Sequence, residues 1–166
     1  VSSRRQRQMC IRDRLILMKN KILLIIFVAT SFFNTNFIAH SEESIEDIIK
    51  GRKAIFSNNA KLAKRVNILL RDFEFEEAEP FILEMSKNYE NLLNYFPENS
   101  KEGYGTEALP IIWEEKDAFN ALMQKAADDM LQLAKVMEEV DDIQVTYKKL
   151  MWANCNACHS RYRKPH

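Results

Sequence analysis

The sequence predicts an all-α protein, an antiparallel four-helix bundle. Three observations carry this. From residue 44 onward apolar residues recur at i, i+3, i+4 and i+7, the mark of helices with one buried face. No stretch alternates with period two for long enough to be a strand. The helical stretches are joined by short connections, which sets neighbours antiparallel.

The chain has 166 residues, and the bundle is expected over 42–166. Residues 18–41 read as a secretory signal peptide. Lys19 and Lys21 form its basic start, Ile22 to Val28 with Phe32 and Phe33 its apolar core, and Ala39-His40-Ser41 its cleavage site. Cleavage is expected near Ser41–Glu42. The core is too short, and too soon interrupted by Asn34 and Asn36, to span a bilayer comfortably; an uncleaved anchor is the alternative. Residues 1–17 resemble translated sequencing adapter, so they and Cys10 are set aside. Residues 1–41 hold seven of the 24 Lys and Arg and one of the 24 Asp and Glu, leaving 17 basic and 23 acidic groups and a formal charge of −6. That balance disfavours a nucleic-acid partner, which needs a basic field.

Helix one is predicted over 44–71. Its stripe includes Ile48, Ile49, Ile55, Phe56, Leu62, Val66 and Leu69; Ser41 or Ser44 serves as cap, with Glu46 and Asp47 in the first turn. Helix two, 76–95, uses Ala78, Phe81, Ile82, Met85, Tyr89, Leu92 and Leu93. The stretch 97–105 collects Pro97, polar residues, Gly103 and Gly105, and reads as a loop. Helix three starts near Thr106 or Pro110 and ends near Glu139, with Ile112, Phe119, Met123, Ala126, Met130, Leu133 and Met137 inward. Helix four, about 141–163, puts Tyr147, Met151, Cys155, Cys158 and Tyr162 on one stripe. Arg52 interrupts the apolar stripe of helix one. A buried arginine needs a partner, so it either snorkels, pairs with a carboxylate, or meets an anionic ligand group.

The chemistry-bearing motif is Cys155-Asn156-Ala157-Cys158-His159. Cysteines at i and i+3 of a helix share a face and can form thioethers with the two vinyl groups of one haem. The adjacent histidine projects its imidazole toward the iron from the same side. C-x-x-C-H is the sequence form of c-type haem attachment. A zinc site would have only Cys155, Cys158, His159 and His166 within reach, and a thioredoxin-like dithiol would follow a strand that is not visible. Arg52 then has a named candidate partner, a haem propionate.

These features resemble a family, the cytochromes c-prime (class II c-type cytochromes). The resemblance is carried by Ile48-Ile49-Lys50-Gly51-Arg52-Lys53-Ala54-Ile55-Phe56, by Phe96-Pro97-Glu98-Asn99-Ser100, and by Ala108-Leu109-Pro110-Ile111-Ile112-Trp113 with Phe119. It ends with Cys155-Asn156-Ala157-Cys158-His159-Ser160-Arg161-Tyr162-Arg163, close to the C-terminus. It implies one covalent haem c, anchored by Cys155 and Cys158 and ligated at the iron by His159. It places Arg52 at a propionate and Arg163, one turn beyond His159, beside the proximal haem face.

The resemblance also implies that the residue four after Arg52 faces the open side of the iron. Low-spin members place methionine there, and high-spin members an apolar, non-ligating residue. Here it is Phe56, and helix one contains no methionine. Met85, Met123, Met130, Met137 and Met151 read as core fillers. The expectation is a five-coordinate, high-spin iron in an apolar pocket that favours nitric oxide or carbon monoxide over dioxygen. This gives a periplasmic monohaem cytochrome that binds small gases or passes single electrons to periplasmic redox partners. A six-coordinate, low-spin carrier is the alternative, and a non-haem dithiol bundle the outsider. No catalytic constellation is seen. A homodimer through the first two helices is left open.

Overall fold

A computed structural model describes residues 44–165. The expected leader at 18–41, the segment 1–17 and His166 lie outside the described residues. The elements are α1 (Ile45–Arg71), α2 (Phe75–Leu92), a 3-10 turn (Glu98–Ser100), α3 (Ile111–Glu114), α4 (Lys116–Val136), α5 (Ile143–Tyr147), a π-helical segment (Lys148–Trp152) and α6 (Ala153–Tyr162). The segment from α5 to α6 is one continuous helical rod. With α1, α2 and α4 it makes the four-helix bundle.

The start of α1 follows its sequence. Ser44 caps it, its Oγ accepting from the Asp47 amide at 3.1 Å, and Glu46 and Asp47 lie beside the positive end of the helix dipole. α1 ends at a tight corner where Phe73 takes φ +61°. Ile49, Leu62, Ala63, Val66, Leu69 and Leu70 are buried along α1, and α2 meets them with Ala78, Ile82, Met85 and Leu92. α4 supplies the inward residues expected of helix three from Phe119 to Leu133, Met137 follows at its C-cap, and α3 supplies Ile112. Fully burying each such side chain is worth about 1.5–3 kcal/mol.

Polar ties fix how the helices sit on one another. Asn88 Nδ2 of α2 donates to Asn59 Oδ1 of α1 at 2.8 Å, and Ser86 Oγ of α2 donates to the Ala127 carbonyl of α4 at 3.0 Å. Tyr147 Oη of α5 donates to the Ala63 carbonyl of α1 at 2.5 Å. Asn154 Nδ2 of α6 donates to Asp129 Oδ2 of α4 at 2.7 Å.

Three departures from expectation concern the ends of elements. α2 stops at Leu92 rather than near 95, because the chain turns there into the 95–110 connection. Helix three is not continuous: Glu115 leaves helical geometry (φ −115°, ψ 41°) and separates α3 from α4. Its carboxylate accepts from Arg161 Nε at 2.7 Å and from Tyr162 Oη at 3.0 Å, so the break serves a tie to the C-terminal helix. Helix four ends at Tyr162, and Arg163 is extended, bridged to Ala108.

The Arg161 guanidinium holds the Glu115 carboxyl below its usual pKa of 4.5. A carboxylate with a depressed folded pKa contributes stability above its ordinary pKa and loses it as pH falls through the folded value. Glu115→Gln is therefore expected to lower stability slightly at neutral pH, by the small amount of an exposed pair, and to leave it unchanged at acid pH, so that the acid limb flattens. Urea unfolding at a series of pH values checks this; an unchanged acid limb would show that the pair carries no weight.

Candidate functional site

α1, α2, α4 and α6, with the 95–110 connection, enclose a cavity of about 480 Å³. That lies within the range of about 300–1,000 Å³ usual for cofactor and ligand sites. Arg52, Phe56, Cys155, Cys158, His159 and Arg163 all line it. Residues more than 100 positions apart in sequence thus meet at one place.

The α1 side is set by helical spacing. Arg52, Phe56, Asn59 and Ala63 fall at i, i+4, i+7 and i+11, one face of the helix, and all four line the cavity. Arg52 is only 2 % exposed. Its Nη1 donates to the Tyr95 carbonyl at 3.2 Å and to Ser100 Oγ at 3.0 Å. Its Nη2 donates to the Ser100 carbonyl at 2.9 Å and to Thr106 Oγ1 at 2.6 Å. The guanidinium also stacks 4.7 Å from the Phe96 ring centre. Every one of these acceptors is neutral. Burial pulls the Arg52 pKa down to about 10, which still leaves it cationic at neutral pH.

Phe56 is half-buried, its ring edge-on to Phe96 at 6.5 Å. Phe96 packs in turn on Phe119 at 4.7 Å, and Phe119 on Tyr162 at 5.3 Å. This row of rings forms an apolar wall from α1 across to α6.

The motif lies on α6, directly after the π-helical segment. Cys155 and Cys158 are both free thiols, the first half-buried and the second buried. Burial pushes the Cys158 thiol up to about 12, with the neighbouring Cys155 adding and the Arg163 charge opposing. Burial also raises Cys155, against a hydrogen bond from Tyr89. At neutral pH both are therefore thiols rather than thiolates. His159 is half-buried on the same helix. Arg163 sits just past the helix end, close enough to Cys158 to act on its charge.

Two residues at the cavity were missed in the sequence. Tyr89, expected only as core, lines the cavity and faces Cys155. Asn59 is 4 % exposed; its Oδ1 accepts from Asn88 Nδ2 and its amide lies against the Tyr89 hydroxyl. The signal was available: Asn59 interrupts the apolar stripe of α1 just as Arg52 does. Asn59 and Tyr89 thus add buried polar groups to a lining that also carries the apolar Phe56.

The residues fit a covalently attached haem. Two adjacent free thiols and an imidazole line one wall, aromatic rings line another, and a buried cation without an anionic acceptor stands at the rim. Among the described residues no three His, Cys, Asp or Glu side chains converge as a metal-binding group, so the zinc alternative finds no ligand set there.

The family model for cytochrome c′ matches residues 47–163. The chain belongs to the cytochrome c′ family. A cytochrome c′ of Rhodopseudomonas palustris is 28 % identical over 120 residues, covering 70 % of this chain and 82 % of that protein. The solved structure of a cytochrome c′ from the same organism superposes with a TM-score of 0.63 at 27 % identity, over 72 % of this chain and 97 % of that one. A ferrous variant of Alcaligenes xylosoxidans cytochrome c prime with bound NO shares the fold at 18 % identity, with a TM-score of 0.65 over 76 % of this chain and all of that one. A cytochrome c′ is a c-type monohaem protein, so the cofactor of this chain is one covalent haem c.

As a member of the cytochrome c′ family, the chain has an arginine that also does structural work. Arg52→Leu removes four hydrogen bonds and leaves buried acceptors in the 95–106 connection unpaired, at a cost of about 2–4 kcal/mol. Urea unfolding measures the loss, and amide exchange is expected to rise most between Ser100 and Thr106. Unchanged exchange there would mean that the connection does not depend on this side chain.

Proposed function

We propose that this cytochrome c′ is an exported haem protein whose iron keeps one coordination position open to nitric oxide or carbon monoxide and exchanges single electrons with periplasmic redox partners. In this reading Cys155 and Cys158 hold the haem by thioether bonds and His159 ligates the iron. Arg52 pairs with a propionate, which supplies the anion its neutral acceptors lack. Arg163 lies beside the proximal face, where its charge is near Cys158. The haem, when bound, supplies a gas-binding position and a one-electron couple. Residues 18–41 act as the export signal, and 1–17 are not part of the natural protein.

The observation that carries the reading is Phe56. It lines the cavity from α1 with a side chain that cannot coordinate metal, and α1 has no methionine to replace it. Among the described residues no helix is long and apolar enough to cross a membrane, in keeping with a released protein after export.

One observation favours the six-coordinate alternative. Met123 of α4 lines the cavity, unlike the other core methionines of the described residues. Its thioether is the candidate sixth ligand.

Absorption spectra of the haem-loaded protein, oxidised and reduced, before and after carbon monoxide, separate the two. A high-spin spectrum that shifts with carbon monoxide is expected. Phe56→Met is expected to convert it to a low-spin spectrum indifferent to the gas. Low-spin bands in the parent protein that become high-spin in Met123→Leu would establish the alternative instead.

A further inference from the structure

We propose that Tyr89 is a positioning residue for the haem: its hydroxyl, oriented through Asn59 and Asn88, donates a hydrogen bond to the Cys155 sulfur and raises the reduction potential of the group that sulfur holds. The inference rests on the reading of Cys155 as a thioether anchor and adds to it a residue that tunes the one-electron couple.

The inventory of donors and acceptors gives the chain its direction. Asn88 Nδ2 donates to Asn59 Oδ1 at 2.8 Å, so the carbonyl end of the Asn59 amide is committed to Asn88. The other end is an NH2 group, which can only donate. It lies against the Tyr89 hydroxyl, whose oxygen therefore accepts. The Tyr89 proton is left for its other neighbour, the Cys155 sulfur. Tyr89 is 7 % exposed and lines the cavity together with Asn59 and Cys155. Burial holds the Tyr89 hydroxyl well above the usual phenol range, so it keeps the proton that it donates. Tyr147 and Tyr162 direct their hydroxyls to oxygen, the Ala63 carbonyl at 2.5 Å and the Glu115 carboxylate at 3.0 Å. Of these three buried tyrosines, Tyr89 is the one whose hydroxyl meets a cysteine of the motif.

Attachment narrows what that sulfur can do. As a thiol, Cys155 Sγ lies 3.7 Å from Met151 Sδ and donates to it. In a thioether the S–H bond has added across a vinyl group, sulfur to one carbon and hydrogen to the other. The sulfur then has no proton and can only accept. Met151 loses its donor, and the contact with Tyr89 remains. A hydrogen bond to this sulfur draws electron density from the attached ring and favours the reduced state, which carries one more electron.

The haem-loaded parent protein gives the first test. In its resonance Raman spectrum a carbon–sulfur stretching band is expected to shift when water is replaced by D2O, because the hydroxyl on that sulfur exchanges. In Tyr89→Phe that shift is expected to be lost. The same change is expected to favour the oxidised state roughly 2- to 5-fold, the range of one neutral hydrogen bond, which is about 20–40 mV at 59 mV per tenfold. Asn59→Leu keeps the tyrosine but removes what orients it, and is expected to lower the potential by less. An unchanged potential there overturns the part given to Asn59. Carbon–sulfur bands indifferent to deuterium in the parent overturn the inference, and a potential that still falls in Tyr89→Phe then reports packing alone. Haem released from the parent by acid–acetone overturns the thioether reading as well, whereas haem retained leaves that reading standing.

Discussion

A buried guanidinium in the cavity wall is the constraint on which the surrounding structure depends. Arg52 sits on α1 with four neutral acceptors drawn from Tyr95, Ser100 and Thr106. An arginine so placed cannot be left unsatisfied, so the 95–106 connection has to fold around it. That connection then runs straight into the C-terminal segment. The Leu109 amide donates to the Tyr162 carbonyl at 2.9 Å and the Lys164 amide to the Glu107 carbonyl at 2.8 Å. One side chain on α1 thereby sets, through a loop, the place of the last helix and of Cys155, Cys158 and His159 on it.

The last helix needs a second adjustment to present that motif. Up to Tyr147 it buries a ring against α1; from Cys155 onward it must face the cavity. The π-helical segment Lys148–Trp152 lies between these two tasks. A π turn adds one residue to the helical repeat, which rotates everything after it by about 100° relative to an unbroken α-helix. The rotated register is held by Asn154, which donates to Leu150 O and to Asp129 Oδ2, each at 2.7 Å, while Lys125 neutralises the aspartate. The asparagine that precedes the first cysteine is thus the residue that fixes its direction.

Much of this was legible in the residues. Helical periodicity gave the four stripes because burial of one face is a local, repetitive demand, and C-x-x-C-H marked the haem site because thioether chemistry imposes its spacing. Arg52 stood out as a charge on an apolar stripe that had to find partners. What it holds in the protein itself, the Ser100 and Thr106 contacts, was not legible, since they join residues about 50 apart through a loop with no period. The break at Glu115 escaped for the same reason: its cause is Arg161 and Tyr162, far along the chain. The π segment leaves no compositional trace. Asn59 is a different case. Its polarity was visible on the stripe, but its meaning depends on Asn88 and Tyr89, which only the packing of α2 against α1 brings near.

The two polar residues of that stripe show how one helix divides its work. α1 gives Ile49, Leu62, Val66, Leu69 and Leu70 to the core, and Arg52, Phe56, Asn59 and Ala63 to the cavity. The two sets share a helix but lie on adjoining faces, so the bundle gains its stability from one and its chemistry from the other. Arg52 is fully engaged by the protein, which makes it part of the scaffold as well as of the site. Asn59 is held by α2, its carbonyl end accepting from Asn88 and its amide beside the Tyr89 hydroxyl. The cavity face of α1 thus carries a scaffold residue at Arg52, an apolar wall at Phe56 and a buried polar contact with α2 at Asn59, within about two turns of one another.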